Sequence, residues 1–224
     1  EALRDDLKMK ALRPSAVINP VLVQIDNYPE DQIEFMDCPN NTENEALGTR
    51  KIAFGKYVYI ERDDFIEEKP NKKWKRLALG VEVRLMHAYF ITATHVEKDA
   101  DGNITLIHAT YDPATRSGSG FNERKPNGNI HFVEKTTALP ATFRLFDALF
   151  LPETEETKDL DFIERLNPNS LSISKGFVEA SLKETKPLDH YQFVRNGYYT
   201  TDKDSTKDKL IFNCTVSLKS SFKL

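Results

Sequence analysis

Short stretches of alternating apolar and polar residues, separated by turn-forming residues, run through most of the chain and predict β-strands. The clearest is 82–96, in which every second residue falls on one face of an extended chain. That face carries Val83, Leu85, His87, Tyr89 and Ile91. The turn residues at 99–103 then predict a hairpin whose returning strand covers 104–111. Further strands are predicted at 17–18, 21–25, 56–61, 130–133, 142–146, 171–173, 192–195 and 210–218.

Two segments favour a helix over a strand. Residues 1–12 contain no helix breaker, and Arg13-Pro14 ends them because a residue before proline disfavours helical backbone. Residues 159–166 predict a second short helix. Polar turn formers predict loops at 37–48 and 112–129. Many short strands and few helices favour an all-β barrel or sandwich, and a chain of this length predicts two small barrels.

The composition is that of an ordinary folded protein. The 224 residues are 39% hydrophobic and 29% charged, which excludes a disordered chain. No apolar run approaches the roughly 18 residues of a membrane-spanning helix, and no basic-then-apolar signal stretch opens the chain. We therefore expect neither a membrane partner nor secretion. The two cysteines, Cys38 and Cys214, are too few for a disulfide scaffold or a zinc cage, and a reducing cytoplasm fits them.

The charge is unevenly distributed, which changes what the net charge of −4 implies. An acidic balance argues against a protein that is coated in basic charge. Residues 69–76 nevertheless read Lys-Pro-Asn-Lys-Lys-Trp-Lys-Arg, with five cations around Trp74. Cations neutralise phosphates and an aromatic ring stacks on an unpaired base, so this run is typical of a surface that binds single-stranded RNA loops. The alternative is a solvated, charged hairpin with Trp74 in the core.

No catalytic signature is recognisable in the sequence. It contains neither a Gly-x-Gly-x-x-Gly fingerprint nor a P-loop, and the Gly-Ser-Gly at 118–120 lacks the spacing of a nucleophile elbow. The five histidines lack metal-ligand spacing, and His108 and His131 are predicted as strand residues with satisfied hydrogen bonds. The acidic pairs Asp63-Asp64 and Glu67-Glu68 are interpreted as solvated surface, because neighbours on a strand point to opposite faces.

The segment 71–85, Asn-Lys-Lys-Trp-Lys-Arg-Leu-Ala-Leu-Gly-Val-Glu-Val-Arg-Leu, followed by Ala88-Tyr89, resembles the anticodon-binding region of the glutaminyl-tRNA synthetase family. Further blocks resemble the same family along nearly the whole chain. They are 3–7, 13, 17–20, 48–50, 60–65, 96–104, 138–140, 144–150, 167–168, 176–177, 191–195 and 197–198. Because these blocks keep the family's order and nearly its spacing, the resemblance is specific.

The resemblance implies an all-β fold of two interleaved small β-barrels, similar to a ribosomal-protein barrel, with a short N-terminal helix. Residues 1–14 would be a helical linker from the catalytic part. Residues 15–50 and 137–224 would form the proximal barrel and 51–136 the distal one, with some exchange of strands. The HIGH-like and KMSKS-like signatures of the catalytic half are missing. We therefore expect this fragment to be inactive alone and to hold no cofactor or metal, whereas the parent class I ligase would use ATP, Mg²⁺ and glutamine.

The partner that the resemblance implies is the splayed anticodon loop of glutamine tRNA, read as C or U, then U, then G. Arg13 and Gln192 match the residues that hold the middle uracil, with Arg195 beside them. Arg76 matches the arginine that reads guanine, and Arg84 matches a residue at the first base. An arginine fork fits O6 and N7 of guanine, and an amide satisfies a donor and an acceptor on uracil. The remaining binding residues are the lysines of the basic run, Lys72, Lys73 and Lys75.

We further expect a cytoplasmic monomer that binds no DNA, and three other interpretations remain open. The equivalent domain of a eukaryotic- or archaeal-type glutamyl-tRNA synthetase shares the barrels, although Arg13, Gln192 and the motif 79–85 favour glutamine. A β-barrel that binds ribosomal RNA or a protein belongs to another class and would be indifferent to the anticodon. A self-contained enzyme is the weakest alternative, because it would have to catalyse ATP–pyrophosphate exchange without the signatures of that chemistry.

Overall fold

The computed structural model describes residues 2–154 and 156–218, which form an all-β fold with a short N-terminal helix. The helix and strands are α1 (Ala2–Lys8), β1 (Ala16–Val17), β2 (Pro20–Ile25), β3 (Ile33–Pro39), β4 (Thr49–Gly55), β5 (Tyr57–Glu61), β6 (Phe65–Ile66), β7 (Leu77–Ala78), β8 (Glu82–Leu85), β9 (Phe90–Lys98), β10 (Ile104–Asp112), β11 (Asn129–Ile130), β12 (Val133–Glu134), β13 (Leu139–Phe146), β14 (Leu171–Val178), β15 (His190–Phe193), β16 (Gly197–Thr201) and β17 (Leu210–Ser217). Short 3₁₀ helices lie at Glu45–Leu47, Arg62–Asp64, Pro113–Thr115 and Ala180–Glu184.

The seven-stranded sheet, in the order β11-β8-β9-β10-β2-β5-β12, curls around one hydrophobic core. Strand β2 shows why it does so: Val21, Val23 and Ile25 are buried and alternate with less buried residues, so one face is apolar along its length. The separate hairpin β3–β4 adds Met36 and Phe54 to the same core. Sheet and hairpin together form one barrel.

The six-stranded sheet, in the order β1-β14-β13-β17-β16-β15, encloses a second core that is built on aromatic rings. Phe143, Phe193 and Phe212 are completely buried, and the ring centroids of Phe193 and Phe212 lie 5.0 Å apart, edge to face. Strand β13 pairs antiparallel with β14 and parallel with β17. Ring packing and a continuous strand ladder therefore hold the second barrel together.

The chain visits the six-stranded sheet twice, which confirms the interleaved two-barrel fold. Strand β1 pairs with β14 before the chain enters the seven-stranded sheet at β2, and β13 brings it back. Of the segment 15–50 that the resemblance assigns to the proximal barrel, Ala16–Val17 is the part that lies in the six-stranded sheet. Strand β2 and the β3–β4 hairpin pack into the other core, because their buried apolar residues face it. The predicted boundary at residue 50 therefore does not follow the strand pairing.

Both helix predictions need correction. The N-terminal helix ends at Lys8, short of the predicted end at residue 12, and Glu1 lies outside the described residues. Residues 159–166 form hydrogen-bonded turns instead of a helix, with Arg165 N donating to Asp161 O (3.1 Å). No helix within the described ranges is long and apolar enough to cross a membrane.

The predicted strand 82–96 is in fact two strands, β8 and β9. The backbone turns between them, and His87 has a φ of 64°, in the left-handed region. His87 therefore leaves the face that Val83 and Ile91 share in the core. The hairpin β3–β4 is a second difference, because part of it falls in 37–48, which the polar composition predicts as loop.

Candidate nucleic-acid interface

The lysine-rich run forms a loop, here called the basic loop (69–76), between the short parallel strands β6 and β7. Asn71 folds the loop: its side-chain oxygen accepts from Lys73 N (2.9 Å) and its carbonyl from Trp74 N (3.2 Å). Asn127 holds the loop from outside, donating from Nδ2 to the carbonyls of Trp74 (3.0 Å) and Arg76 (3.1 Å). Lys69 Nζ donates in turn to Asn127 Oδ1 (2.7 Å), so the shape of the loop is fixed without engaging Lys72, Lys73 or Lys75 by their side chains.

Gly128, next to Asn127, permits the close approach of the basic loop to its barrel. A Cβ on Gly128 would lie 1.9 Å from the carbonyl oxygen of Lys75 and 2.7 Å from its carbonyl carbon. Both are backbone atoms, so no side-chain rotation could relieve the clash. Gly128 O also accepts from Arg84 N (2.9 Å). The glycine thus connects the basic loop to the edge of β8.

Three lysines of the basic loop are free of protein partners. Lys72, Lys73 and Lys75 are exposed, and across residues 2–154 and 156–218 none of them forms an ion pair or a side-chain hydrogen bond. Trp74 is half-buried, donates from Nε1 to Leu77 O (3.3 Å) and belongs to neither hydrophobic core. The alternative of a solvated hairpin with Trp74 in the core is therefore wrong about the tryptophan.

A buried carboxylate, Asp64, holds one arginine from each barrel. Asp64 is 2% exposed and forms a two-pronged pair with Arg195, in which Nη1 donates to Oδ2 and Nη2 to Oδ1 (2.7 Å). Arg76 Nε lies 3.4 Å from the same Oδ1, and Arg76 Nη1 donates to Asp63 O (2.8 Å). The interpretation of Asp63-Asp64 as solvated surface is therefore wrong for Asp64, because a cation from the other barrel neutralises it.

Arg195 reaches Asp64 from the tight turn between β15 and β16 and has a φ of 65°. Left-handed backbone costs a residue with a Cβ about 1–2 kcal/mol, so the surrounding contacts have to hold it. The neighbouring Asn196 supplies two of them, donating from Nδ2 to Ala16 O (3.1 Å) and to Glu61 Oε1 (3.0 Å). The turn is thus fixed to strands of both sheets.

Glu61 and His131 lie next to this turn, where the barrels meet. Glu61 accepts from Ile18 N (2.9 Å) and Asn19 N (3.0 Å), and its Oε1 is 3.5 Å from His131 Nε2. Burial opposes the charge of Glu61, but the side chain of His131 and the two backbone donors outweigh it and lower the pKa of Glu61 to about 2. His131 is 1% exposed, and its Nδ1 is 3.4 Å from Arg195 Nη1. The prediction of satisfied hydrogen bonds for His131 is therefore wrong for Nε2, which is buried and has no hydrogen-bond partner among the described residues.

The basic loop and the Arg195 turn line one open pocket of about 550 Å³. Its walls are Lys73, Trp74, Lys75, Arg76, Asn129 and Arg195. A narrower pocket of about 160 Å³ shares Arg76 and Arg195 with it and includes Asp64 and His131. The structure thus brings together four of the predicted site residues, Lys73, Lys75, Arg76 and Arg195, on a surface to which both barrels contribute.

Arg13 and Gln192 are neighbours through their backbones. The segment before β1 runs beside β15, where Gln192 N donates to Leu12 O (2.9 Å). Arg13 is engaged by its own chain: Nη1 donates to Thr42 Oγ1 (2.7 Å) and Nη2 to Glu43 Oε1 (2.9 Å). Gln192 Oε1 is shielded from solvent and has no donor among the described residues. An unsatisfied, buried acceptor of this kind is a natural place for a ligand N–H.

Arg84 lies apart from the open pocket. Its Nη1 donates to Thr115 O (3.0 Å), Ser117 Oγ (2.8 Å) and Ala88 O (3.2 Å), and its guanidinium lies 4.2 Å from the centroid of the Phe90 ring. Burial lowers the pKa of Arg84 from its ordinary value. The connection to the pocket is made by the backbone, because Arg84 is the register partner of Asn129, which lines it. The guanidinium groups of Arg13, Arg76 and Arg84 therefore have separate sets of partners.

Comparison with known proteins identifies the family of this chain. Residues 11–112 match a family model described as "tRNA synthetases class I (E and Q), anti-codon binding domain", and residues 129–202 match a second model with the same description. The chain belongs to this family of anticodon-binding domains.

The curated relatives that the chain resembles are glutamine–tRNA ligases. Over 223 residues, or 99% of this chain, it is 50% identical to the glutamine–tRNA ligase of Clostridium perfringens and 48% identical to that of Clostridioides difficile. It is also 48% identical over 223 residues, or 98% of this chain, to the glutamine–tRNA ligase of Proteus mirabilis. The chain spans about 40% of the length of these relatives.

Proposed function

We propose that this chain binds the anticodon loop of glutamine tRNA as part of a glutamine–tRNA ligase. The observation that carries the proposal is the open pocket, where lysines whose side chains have no partner among the described residues stand beside Trp74 and two arginines held by Asp64. Such a surface suits an unstacked, negatively charged strand, because cations meet the phosphates and flat groups meet the bases.

The rim of the pocket supplies charge and stacking. Lys72, Lys73 and Lys75 bind phosphates in this proposal, and each neutralised phosphate releases counterions and so favours binding at low salt. Trp74 offers a half-buried ring, and stacking of a base on an aromatic ring contributes about 1–3 kcal/mol. The Arg76 guanidinium already lies 5.4 Å from the centroid of that ring. A base therefore stacks on the part of the ring that Arg76 leaves open.

Arg76 is proposed to read the third base, guanine. Its Nε and Nη1 are engaged by Asp64 and Asp63, whereas its Nη2 has no partner within the described residues. Contacts at Nε and Nη1 fix the plane of the guanidinium, and the N–H groups left over, both of Nη2 and the second of Nη1, then point in a fixed direction, as a bidentate contact to O6 and N7 of guanine requires. Asp64 is then a positioning residue for both Arg76 and Arg195.

Gln192 and Arg13 are proposed to take the middle uracil. The unsatisfied Gln192 Oε1 needs a donor, and N3–H of uracil is a donor of the right kind. Arg13 contacts the base by exchanging one of its present acceptors, Thr42 or Glu43. Arg84 donates from Nη1 to its own barrel, which leaves Nη2 for the first base.

The test is a binding titration of this chain with unmodified anticodon stem-loops of glutamine tRNA. The cognate stem-loop and three others, each with one anticodon base replaced, are compared at one salt concentration. Each replacement, which at the first base is a purine for the pyrimidine, should weaken binding by about 1–3 kcal/mol, because a buried group loses its partner. Equal affinity for all four stem-loops would refute anticodon reading and favour a barrel that binds RNA or protein by charge alone. The glutamyl alternative is not favoured, since the relatives above are glutamine–tRNA ligases.

The activity of the parent enzyme belongs to the same proposal. A glutamine–tRNA ligase attaches glutamine to its tRNA with ATP and Mg²⁺, and we place that chemistry outside these residues. We therefore expect no ATP–pyrophosphate exchange and no cofactor binding by this chain, and we expect a cytoplasmic monomer. Measurable ATP–pyrophosphate exchange by the purified chain would refute the proposal that the catalytic chemistry lies outside these residues.

A further inference from the structure

Three adjacent strands of the seven-stranded sheet bring two histidines and an aspartate together, well apart in sequence from the basic loop. His95 on β9 is the register partner of His108 on β10, and their rings stack with centroids 4.0 Å apart and 9° between planes. Asp26 directly follows β2, the strand on the other side of β10, and its N donates to Ala109 O (2.8 Å). One potential ligand atom from each of the three side chains lies within 4.8 Å of the others.

The side chains around this cluster already orient it. His108 Nδ1 faces Asp26 Oδ1 at 2.9 Å, and its Nε2 faces Glu97 Oε1 at 3.0 Å. Gln24 Nε2 donates to Asp26 Oδ1 (3.0 Å), which directs that carboxylate toward the histidines. A histidine whose second nitrogen is held by a carboxylate is the usual arrangement in protein metal sites, because the carboxylate fixes the ring and raises its basicity.

We propose that Asp26, His95 and His108 form a site for a divalent transition-metal ion of the Zn²⁺ class. Two imidazoles and one carboxylate suit such an ion, whereas Ca²⁺ and Mg²⁺ prefer oxygen ligands alone. Asp26 and His95 are exposed, so an ion reaches them without a change of fold. Because each imidazole lone pair lies in the plane of its own ring, the exposed His95 ring turns out of its stack with His108 when both bind the ion. The cation binds between Asp26 and the two rings with water as a further ligand, and Glu97 supports His108 from behind. None of these residues lines the pockets of the candidate nucleic-acid interface.

Zn²⁺ itself is the probe for the test, titrated into the purified chain against a chromophoric zinc indicator. We expect one equivalent of Zn²⁺ to bind, with affinity reduced at least tenfold in His95→Gln and in His108→Gln. Glu97→Gln should weaken binding by about 10–100-fold, as loss of a supporting carboxylate does in metal sites. His190→Gln is the matched control, an exposed histidine outside the cluster, and should leave the titration unchanged.

Co²⁺ supplies a second readout of geometry. The wild-type chain should develop the visible absorption of nitrogen- and oxygen-bound Co²⁺, and both histidine variants should lose it while keeping the wild-type circular dichroism. The proposal is refuted if Zn²⁺ fails to bind at one equivalent. It is equally refuted if His95→Gln and His108→Gln bind it as the wild type does.

Discussion

The floor and the rim of the open pocket use positive charge in opposite ways. On the floor, Arg76 and Arg195 share the buried carboxylate of Asp64. On the rim, Lys73 and Lys75 line the pocket and Lys72 precedes them in the basic loop; all three are exposed and their side chains are unpaired within the described ranges. A paired cation fixes geometry, and an unpaired one keeps its charge for a partner. The comparison shows that basic residues in a sequence do not all serve binding directly: here the floor maintains shape and the rim supplies attraction.

The largest effect that we expect is a loss of folding stability in acid. It depends on Glu61, which accepts from Asn196 beside Arg195 and so supports the floor. Its folded pKa of about 2 lies below the ordinary value of 4.5, so the carboxylate stabilises the fold above about pH 4.5 and loses that effect as pH falls toward 2. The shift corresponds to a contribution on the order of 3 kcal/mol to the free energy of unfolding. Urea denaturation of the wild type and Glu61→Gln at neutral pH and near pH 3 measures it.

The difference in stability between these two proteins should shrink at the lower pH, because near pH 3 Glu61 is protonated in the unfolded chain but still largely ionised in the folded one, so folding has to release a proton. Glu67→Gln is the control, because the Glu67 side chain is 43% exposed and forms a surface ion pair with Lys98. A difference that stays constant with pH would show that Glu61 stabilises the fold by its shape and not by its charge.

The second prediction separates two adjacent carboxylates. Asp64→Asn should lower the free energy of unfolding by about 2–3 kcal/mol, because it leaves Arg195 without its counter-charge in a partly buried place. Asp63→Asn should change it by less than about 0.5 kcal/mol, since that side chain is exposed and Arg76 uses only the backbone oxygen of Asp63. If Asp64→Asn and Asp63→Asn lowered the stability equally in thermal or urea unfolding, the special role of the buried Asp64 in the floor would be refuted.

Arg76→Ala sharpens the comparison, because Arg76 belongs to the floor and also faces the pocket. We expect it to weaken binding of the cognate stem-loop by about 1–3 kcal/mol and to relax the preference for the third base. Titration with third-base variants of the stem-loop measures this. If Arg76→Ala weakened every stem-loop equally, Arg76 would be a phosphate ligand and would belong functionally to the rim.

Lys72→Ala should have the smallest effect and the least specific one. Removal of one rim cation should weaken all stem-loops alike and flatten the dependence of log K on log salt by less than about one unit. Lys203→Ala is the matched control, since Lys203 is an exposed lysine outside the basic loop, between β16 and β17. A change of base preference in Lys72→Ala would contradict its assignment to the rim.

The all-β class and the basic loop could be predicted because both depend on local pattern. Alternation in β2 and β10 and the run at 69–76 are visible within a few residues. The turn at His87 could not be predicted in this way, because the apolar period continues on both sides of it. Strand exchange was expected from the resemblance alone, since the two residues of β1 carry no periodic signal of their own.

The parts of the candidate site that escaped prediction depend on contacts between distant residues. Asp64 is neutralised by Arg195, 131 residues later, so its burial has no local signature. The pairing of His95 with His108 requires the register of β9 and β10, including its bulges, before the two rings meet. Four of the predicted binding residues lie together because the loop and the β15–β16 turn meet there, whereas Arg13, Lys72, Arg84 and Gln192 do not line that pocket. The binding role of all eight stays a prediction that the stem-loop titrations address.

The edge strand β1 has a practical consequence for anyone who wishes to isolate either barrel. Ala16–Val17 precedes the whole seven-stranded sheet in the chain, so no single cut releases the six-stranded sheet intact. Strand β1 also packs closely against β14, because a Cβ on Gly176 would lie 2.0 Å from Val17 O. A half-size version would require the chain to be rejoined in a new order, with the segment around β1 fused ahead of β13. The two barrels are in this sense a single unit of expression and of engineering.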